Sequence, residues 1–395
     1  MKILFLTYDL PFPLNSGGKI RAYYLIKNLS QNHQITLFSY YRQEEQKRDM
    51  AEMEKYCVGV RLFKRRRAWS WQNVGRCLLT SLPFAAATYY SDSLKEALKK
   101  ELETGCYDLV HFESFYPALY LPLVKKLGVK TLMGNENIEY QVYQRYAWQK
   151  LLGLRQILQL EVFRMRFFEE NLWRQADINI AVSAADANTI ERVVKKSCPV
   201  IPNGVDLEIY PKTTTQNDRQ NLIFIGSLIY QPNNDAMKYF LGEIYPLIKQ
   251  KNPAVKLILV SWFRPPWLKN YISDSSINFI HDRETPAVEF LKKAAILVAP
   301  MRIASGTNIK ILEAMAAGLP VVTTVIGAEG LAVKNGREVM IADKPDEFVS
   351  AVVALLADKK RCRRMGLAGR ALVKQRYGWS KIANRLEDVY HEKQS

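Results

Sequence analysis

The chain opens on a short apolar run, KILFLTY (2–8), which stops at Asp9. An apolar run of this length, bounded by turn residues, predicts a buried strand. A loop with Pro11, Pro13, Asn15, Gly17 and Gly18 follows. Ile20, Tyr24, Leu25 and Leu29 then recur at helical spacing. ITLFSY (35–40), DLVHF (108–112), KTLMG (130–134) and ADINIAV (176–182) repeat the strand signal, with helical stretches after them. Ser183 is placed to cap the helix after the last of these. Apolar strands alternating with amphipathic helices predict an α/β fold built on a mostly parallel, doubly wound sheet.

The rhythm breaks at CPVIPNGVDLEIYPKTTTQNDRQ (198–220), with three prolines and a polar run. It resumes with the strand signals NLIFIGS (221–227), VKLILV (255–260), INFI (277–280), AILVAP (295–300) and PVVTTV (320–325). Helices are expected at about 233–250, 284–293 and 307–317. This predicts two Rossmann-like domains, 1–200 and 201–375, with a helix over 376–395 free to cross back onto the first domain. A Pro-rich linker between two such domains predicts a cleft, and ligands of these sheets bind beyond the carboxyl ends of the strands.

Composition narrows the class. With 395 residues, 48% hydrophobic and 24% charged, the chain can bury large cores. Its five cysteines lie far apart and read as free thiols. The opening apolar run is too short for a signal sequence or a membrane span, so a cytoplasmic protein is expected. Fifty-six basic against 39 acidic residues give a net charge of +17, which favours anionic partners without choosing among them. Phosphate-loop, dinucleotide and G-x-S-x-G motifs are absent, as are histidines at metal-ligand spacing.

The sharpest segment is APMRIASGTNIKILEAMAAGLPVVTTVIGAEGL (299–331). A strand ends at Pro300, a loop with Ser305, Gly306 and Thr307 opens a helix, and that helix carries Lys310 and Glu313. A helix start next to a small glycine suits an anion. Lys310 lies one turn in and can reach a phosphate. Glu313, three residues on, shares its face and can accept two hydrogen bonds from a vicinal diol such as a ribose. The same spacing also fits an ordinary surface ion pair.

This segment closely resembles the C-terminal signature of glycosyltransferase family 4, a retaining group with the GT-B fold. GGKIR (17–21), NENIEY (135–140), AVSAAD (181–186), IPNGVD (201–206) and FIGSLIYQPNNDAMKYF (224–240) match in order. The last resembles a subgroup from bacterial exopolysaccharide and exosortase-linked clusters. The resemblance implies a hexosyltransferase-type enzyme moving a sugar, with retention, from a nucleotide-sugar donor on the second domain to a glycan or lipid-linked acceptor on the first. Glu313 matches the ribose-binding glutamate. Gly306, Thr307 and Lys310 match the donor sugar and diphosphate loop, Gly17 and Gly18 the glycine loop of the first domain, and Gly226 and Ser227 the first donor loop. The stretch from Ile280 through Asp282 to Arg283 matches the base-binding edge.

There are departures. Ser305 stands where the family often has a second glutamate, and Glu136 aligns best with the family histidine, His111 less well. Glu136 cannot present a neutral imidazole but can orient an acceptor hydroxyl. Glu136, Lys310 and Ser305 are thus the expected catalytic positions. Gly226-Ser227 is followed by Asn233, Asn234 and Asp235 in place of the usual cations, so Lys238 and Arg302 are expected to supply charge. No Asp-x-Asp triplet occurs, and neither metal nor other cofactor is expected. A degenerate relative that binds nucleotide or glycan without turnover, or a nucleotide-sugar epimerase, also fits the motif set.

Residues 55–91 contain no acidic residue and combine Lys55, Arg61, Lys64, Arg65, Arg66, Arg67 and Arg76 with Trp69 and Trp71. Such a stretch suits an anionic membrane surface, which predicts a peripheral protein at the inner face of the cell membrane. A solvated basic face beside a core helix has the same composition. Nucleic acid is not an expected partner, because no nucleic-acid-binding motif accompanies the charge.

Overall fold

The computed structural model describes residues 1–80, 82–148, 152–210, 220–282, 285–303 and 307–392. Ser305, Gly306 and Arg283, and residues 211–219 of the linker, lie outside the described residues. The chain forms two compact units. One comprises Met1–Pro202 together with the C-terminal stretch from Ala383, and the other comprises Asn203–Ile382.

The first unit holds six parallel strands: β1 (Lys2–Thr7), β2 (Gln34–Tyr41), β3 (Gly59–Lys64), β4 (Leu109–Glu113), β5 (Thr131–Asn135) and β6 (Ile178–Ala181). Their order is β3-β2-β1-β4-β5-β6. β4, β5 and β6 are buried along their whole length, as strands covered by helices on both faces must be. That is why they were legible as largely apolar runs. β3 departs from the expectation. It is the edge strand, running beside β2 from Thr36↔Gly59 to Tyr41↔Lys64. Arg61 and Lys64 break its apolar pattern because its outer side faces solvent. Ser183 caps the helix Ala184–Val194, accepting from the Asp186 amide at 3.1 Å. The C-terminal helix Trp379–His391 ends in this unit, where Tyr390 Oη lies 2.6 Å from His111 Nδ1 and Lys130 Nζ donates to the Tyr390 carbonyl at 3.3 Å.

The second unit repeats the plan with β7 (Asn221–Ile225), β8 (Lys256–Val260), β9 (Ile277–Ile280), β10 (Ile296–Ala299), β11 (Val321–Thr323) and the two-residue β12 (Met340–Ile341). The order is β12-β11-β10-β7-β8-β9, all parallel. The helix expected over 233–250 is in fact composite. Gln231–Tyr239 is α-helical, Phe240–Ile244 is a π segment, and Tyr245–Lys251 is α-helical again. Pro246 has no amide proton for an i−4 bond, so the wider turn forms just before it. The helices expected at 284–293 and 307–317 are shorter, at Ala287–Leu291 and Ile309–Ala316.

In both sheets the connections leave in opposite directions from the strand pair at the centre, β1/β4 and β7/β10. A doubly wound sheet opens a crevice there, at the carboxyl ends of those strands. Helix Lys359–Arg376 seats the second of these crevices from behind. Arg370 donates to the Tyr210 carbonyl at 2.9 Å and to the Ala316 carbonyl. A methyl group at Gly366 would fall on the backbone carbonyl of Gly318, which itself ends helix Ile309–Ala316 in a left-handed conformation with φ +74°. Gly366→Ala therefore forces two backbones apart. The expected loss is about 1–3 kcal/mol of stability, the usual effect of overpacking, read from urea denaturation. An unchanged midpoint would show that the helices slide apart freely.

Candidate active site

In the second unit the chain leaves β7 into Gly226, whose φ of +157° disfavours any side chain. A Cβ there would lie 2.7 Å from Asn233 Nδ2. Asn233 donates to the Ser227 carbonyl at 3.0 Å, and Asn234 to the Leu228 carbonyl at 2.9 Å, so the loop is held by the helix that follows it. The neighbouring strand β10 leads to helix Ile309–Ala316, where Lys310 and Glu313 share one face. Lys310 Nζ donates to Asn233 Oδ1 and lies 4.5 Å from the centre of the Phe224 ring. Lys310 therefore connects the helices that follow β7 and β10. The start of its helix is fixed by Asn308, which donates to the Gly327 carbonyl at 2.8 Å.

Burial works against both charges of this helix. It lowers the Lys310 ammonium to about 7, against a small opposing effect of Glu313. It raises the Glu313 carboxyl to about 7, although the Tyr210 hydroxyl and Lys310 pull it down. A lysine poised near neutrality gains charge when an anion arrives. Thr307 is buried, and among the described residues its hydroxyl has no hydrogen-bond partner.

In the first unit the site is built from carboxylates. Arg21 Nε donates to Glu113 Oε1 at 2.6 Å, and Arg21 Nη1 donates to the carbonyls of Ile201 and Pro202 at 2.9 and 3.1 Å. Glu113 Oε2 lies 2.7 Å from His111 Nε2. Burial alone would raise Glu113, but Arg21 and His111 hold it down to about 2. Burial lowers the His111 imidazole, against Glu113. Gly18 is tied to this cluster, because a Cβ on it would fall on the Tyr8 hydroxyl and lie 2.7 Å from Glu136 Oε2. Burial first, and then the charge of Glu113, push Glu136 up to about 8. Glu139 is raised by burial and accepts from the Tyr116 hydroxyl at 3.1 Å. Glu169, fully buried, accepts the Glu139 and Tyr140 amides, both at 3.0 Å, at the start of helix Glu139–Trp148.

The structure thus brings Gly226, Ser227, Asn233, Lys310 and Glu313 together in one unit, and Gly18 and Glu136 in the other. Gly17 begins helix Gly17–Leu29 and is exposed. Arg302 is engaged with Asp235 through two bonds of 3.0 and 2.7 Å, its guanidinium 4.3 Å from the Tyr239 ring centre. Asp235 thus offsets the charge it was expected to supply. Lys238 is exposed, over the Trp267 ring. Asp282 accepts the Thr285 amide and hydroxyl, both at 2.8 Å. Arg21, Glu113, His111 and Tyr390 were missed as a network. The available signal was a glutamate at the carboxyl end of β4, next to β1.

Two doubly wound, six-stranded parallel sheets are those of the GT-B fold. Residues 15–209 match the Glycosyltransferase Family 4 description, and residues 219–358 match Glycosyl transferases group 1. The chain belongs to this family of glycosyltransferases. It is 22% identical over 396 residues to a 44.6 kDa protein of the cps region of Klebsiella pneumoniae, covering 98% of both chains. It is 25% identical over 203 residues to the phosphatidyl-myo-inositol mannosyltransferase of Mycobacterium tuberculosis, covering 48% of this chain and 53% of that protein. Among solved structures, the sucrose-phosphate synthase of Thermosynechococcus elongatus superposes with a TM-score of 0.72 at 16% identity, covering 98% of each chain. Anabaena HepE in complex with UDP and glucose superposes with a TM-score of 0.68 at 14% identity, covering all of both chains.

Glu136 makes a stability prediction. Its carboxyl is raised from an ordinary 4.5 to about 8, so between these values the folded protein keeps a proton that the unfolded chain releases. Stability is then highest below pH 4.5 on account of this group and falls as the pH rises toward 8. Glu136→Gln removes that dependence. Melting curves from pH 5 to 9 should fall more steeply for the natural protein than for the variant, and parallel curves would refute the shift.

Proposed function

We propose that the chain is a retaining, metal-independent hexosyltransferase that moves a sugar from a nucleoside-diphosphate sugar to a glycan or lipid-linked acceptor in envelope or capsular polysaccharide synthesis. The observation that carries this reading is Lys310, bonded to Asn233 and placed beside Glu313 at the crevice of β7 and β10. The Klebsiella pneumoniae relative, from a cps region, supports the polysaccharide setting, and HepE bound to UDP and glucose supports the donor class.

In this reading Glu313 holds the ribose diol. Lys310, the start of its helix and the Thr307 hydroxyl receive the diphosphate as charge builds on it in bond breaking. Fixed donors do this work, and no Asp-x-Asp triplet occurs in the chain to carry a metal. Glu136, which keeps its proton near neutrality, offers a hydroxyl that positions the acceptor on the face from which the diphosphate departs.

The first unit also carries the means to hold a lipid-linked acceptor at a membrane. Within 55–91, Arg65 and Arg76 lie over the rings of Tyr89 and Tyr90, so they are not free for headgroups. Arg66, Arg67 and Lys64 are exposed, and Trp69 and Trp71 are 82% and 91% exposed. Helix Leu152–Gln175 adds a stripe of exposed Leu160, Phe163 and Phe167. Arg164 of that helix donates to the Cys77, Thr80 and Leu82 carbonyls and so ties the two stretches into one apolar and basic face. No helix among the described residues is long and apolar enough to cross a membrane.

Three measurements test the reading. Nucleoside diphosphate binding should take up a proton at pH 8, because the arriving anion raises Lys310, and affinity should fall as the pH rises above 7. Calorimetry in two buffers reads this, and Lys310→Ala should abolish it and lower turnover about 100-fold or more. Glu313→Ala should weaken donor binding by about ten- to hundredfold with the fold intact, because alanine suits the helix. Binding without nucleoside diphosphate release, across a donor panel with lipid extract, would instead mark a protein that does not turn over. In the third test the protein should float with anionic vesicles at moderate salt, and Trp71→Ser combined with Phe163→Ser should leave it in the pellet. Failure of the natural protein to float would end the membrane reading alone.

A further inference from the structure

The turn before β2 and the C-terminal helix place two imidazoles and a carboxylate together, away from the residues assigned to catalysis. His33 is buried, and its Nε2 lies 3.3 Å from Glu387 Oε1. His391 stands four residues after Glu387, one turn along the same helix face. One ligand atom from each of the three residues lies within 4.8 Å of the others. His33 Nε2 is buried and faces the Glu387 carboxylate, so a ring nitrogen is aimed into the cluster.

We propose that His33, Glu387 and His391 bind one zinc-class divalent ion, which fastens the end of the C-terminal helix to the turn before β2. Two imidazoles with one carboxylate are a borderline-soft set that suits zinc and excludes magnesium, which prefers oxygen alone. The 3.3 Å between His33 Nε2 and Glu387 Oε1 is already the edge length of a tetrahedral zinc site with bonds of about 2.0–2.1 Å. His391 is exposed at the helix end and is free to swing the remaining distance. A fourth position stays open to water.

The surroundings are those of oriented ligands. Asn32 Nδ2 donates to both Glu387 oxygens at 3.2 Å. The Met1 nitrogen lies 3.3 Å from His33 Nδ1, so when Nε2 takes the ion Nδ1 carries the ring proton, the Met1 amine accepts from it, and one proton is released. Tyr390, between the two helix ligands, is the residue that meets His111. An ion here would therefore hold in place the helix that closes the Arg21–Glu113–His111 network.

Chelator-treated full-length protein should be titrated calorimetrically with zinc chloride, and with magnesium chloride as control, and its melting followed in parallel. The expected result is one zinc per chain, a higher melting midpoint with zinc, and no response to magnesium. Glu387→Gln and His391→Ala should each weaken zinc binding at least tenfold, and His281→Ala should not. His391 is exposed, so its replacement should leave the metal-free melting midpoint unchanged. No zinc binding by the natural protein, or equal affinity in the His391→Ala variant, would overturn the proposal.

Discussion

Arg21 and Glu113 are each about 1% exposed and meet at 2.6 Å, and the first unit is organised around that buried pair. Four parts of the chain meet there. Arg21 comes from the helix after the glycine loop and Glu113 from the end of β4. The carbonyls of Ile201 and Pro202 belong to the segment that leaves the unit, and His111 passes the contact on to Tyr390 of the C-terminal helix. Two charges buried this deeply are favourable only when every remaining hydrogen-bonding position is met. Arg21 Nε and Nη1 and both Glu113 oxygens find their partners in distant segments. Removing one partner would leave the other charge uncompensated, at about 3–5 kcal/mol.

The pair also sets the chemistry beside it. Burial keeps the proton on Glu136, and the ionised Glu113 next to it adds to the same effect. Gly18 has no side chain because the Tyr8 hydroxyl and the Glu136 carboxyl occupy the space one would need. The glycine of the loop and the raised carboxyl are thus consequences of one packing arrangement. The motif GGKIR states the arrangement compactly. Its glycines admit the acid, Lys19 pairs with Asp9 at 3.6 Å, and Arg21 takes Glu113.

Much of this could be read from the sequence, for reasons that differ between elements. The central strands are buried on both faces, so their runs are largely apolar. Lys310 and Glu313 stood out because a strand, a small-residue loop and a helix follow one another within fifteen residues. β3 escaped because an edge strand keeps charges on its open side, and β12 because two residues carry no period. The π segment at Phe240–Ile244 was hidden because apolar spacing there still resembles an α-helix. The Arg21 network was out of reach for another reason. It joins residues up to 279 positions apart, and no local pattern announces such a meeting. The bond of Arg302 to Asp235 was out of local reach too, since it depends on a helix whose position only the fold supplies.

The two crevices share a topology and differ in the groups they bury. At β1/β4 the desolvated groups are carboxyls, Glu113, Glu136 and Glu139, with one arginine already committed to the first of them. A diphosphate placed among them would find its one arginine already held by Glu113, whereas a sugar hydroxyl would find acceptors and a protonated acid. At β7/β10 the corresponding place holds a half-neutralised lysine, an amide that positions it and the start of a helix. That environment gains when an anion enters and has little to offer a neutral polyol beyond Glu313. The division we propose, with the donor on the second unit and the acceptor on the first, is the one the family resemblance implies, and the groups buried within each unit are compatible with it.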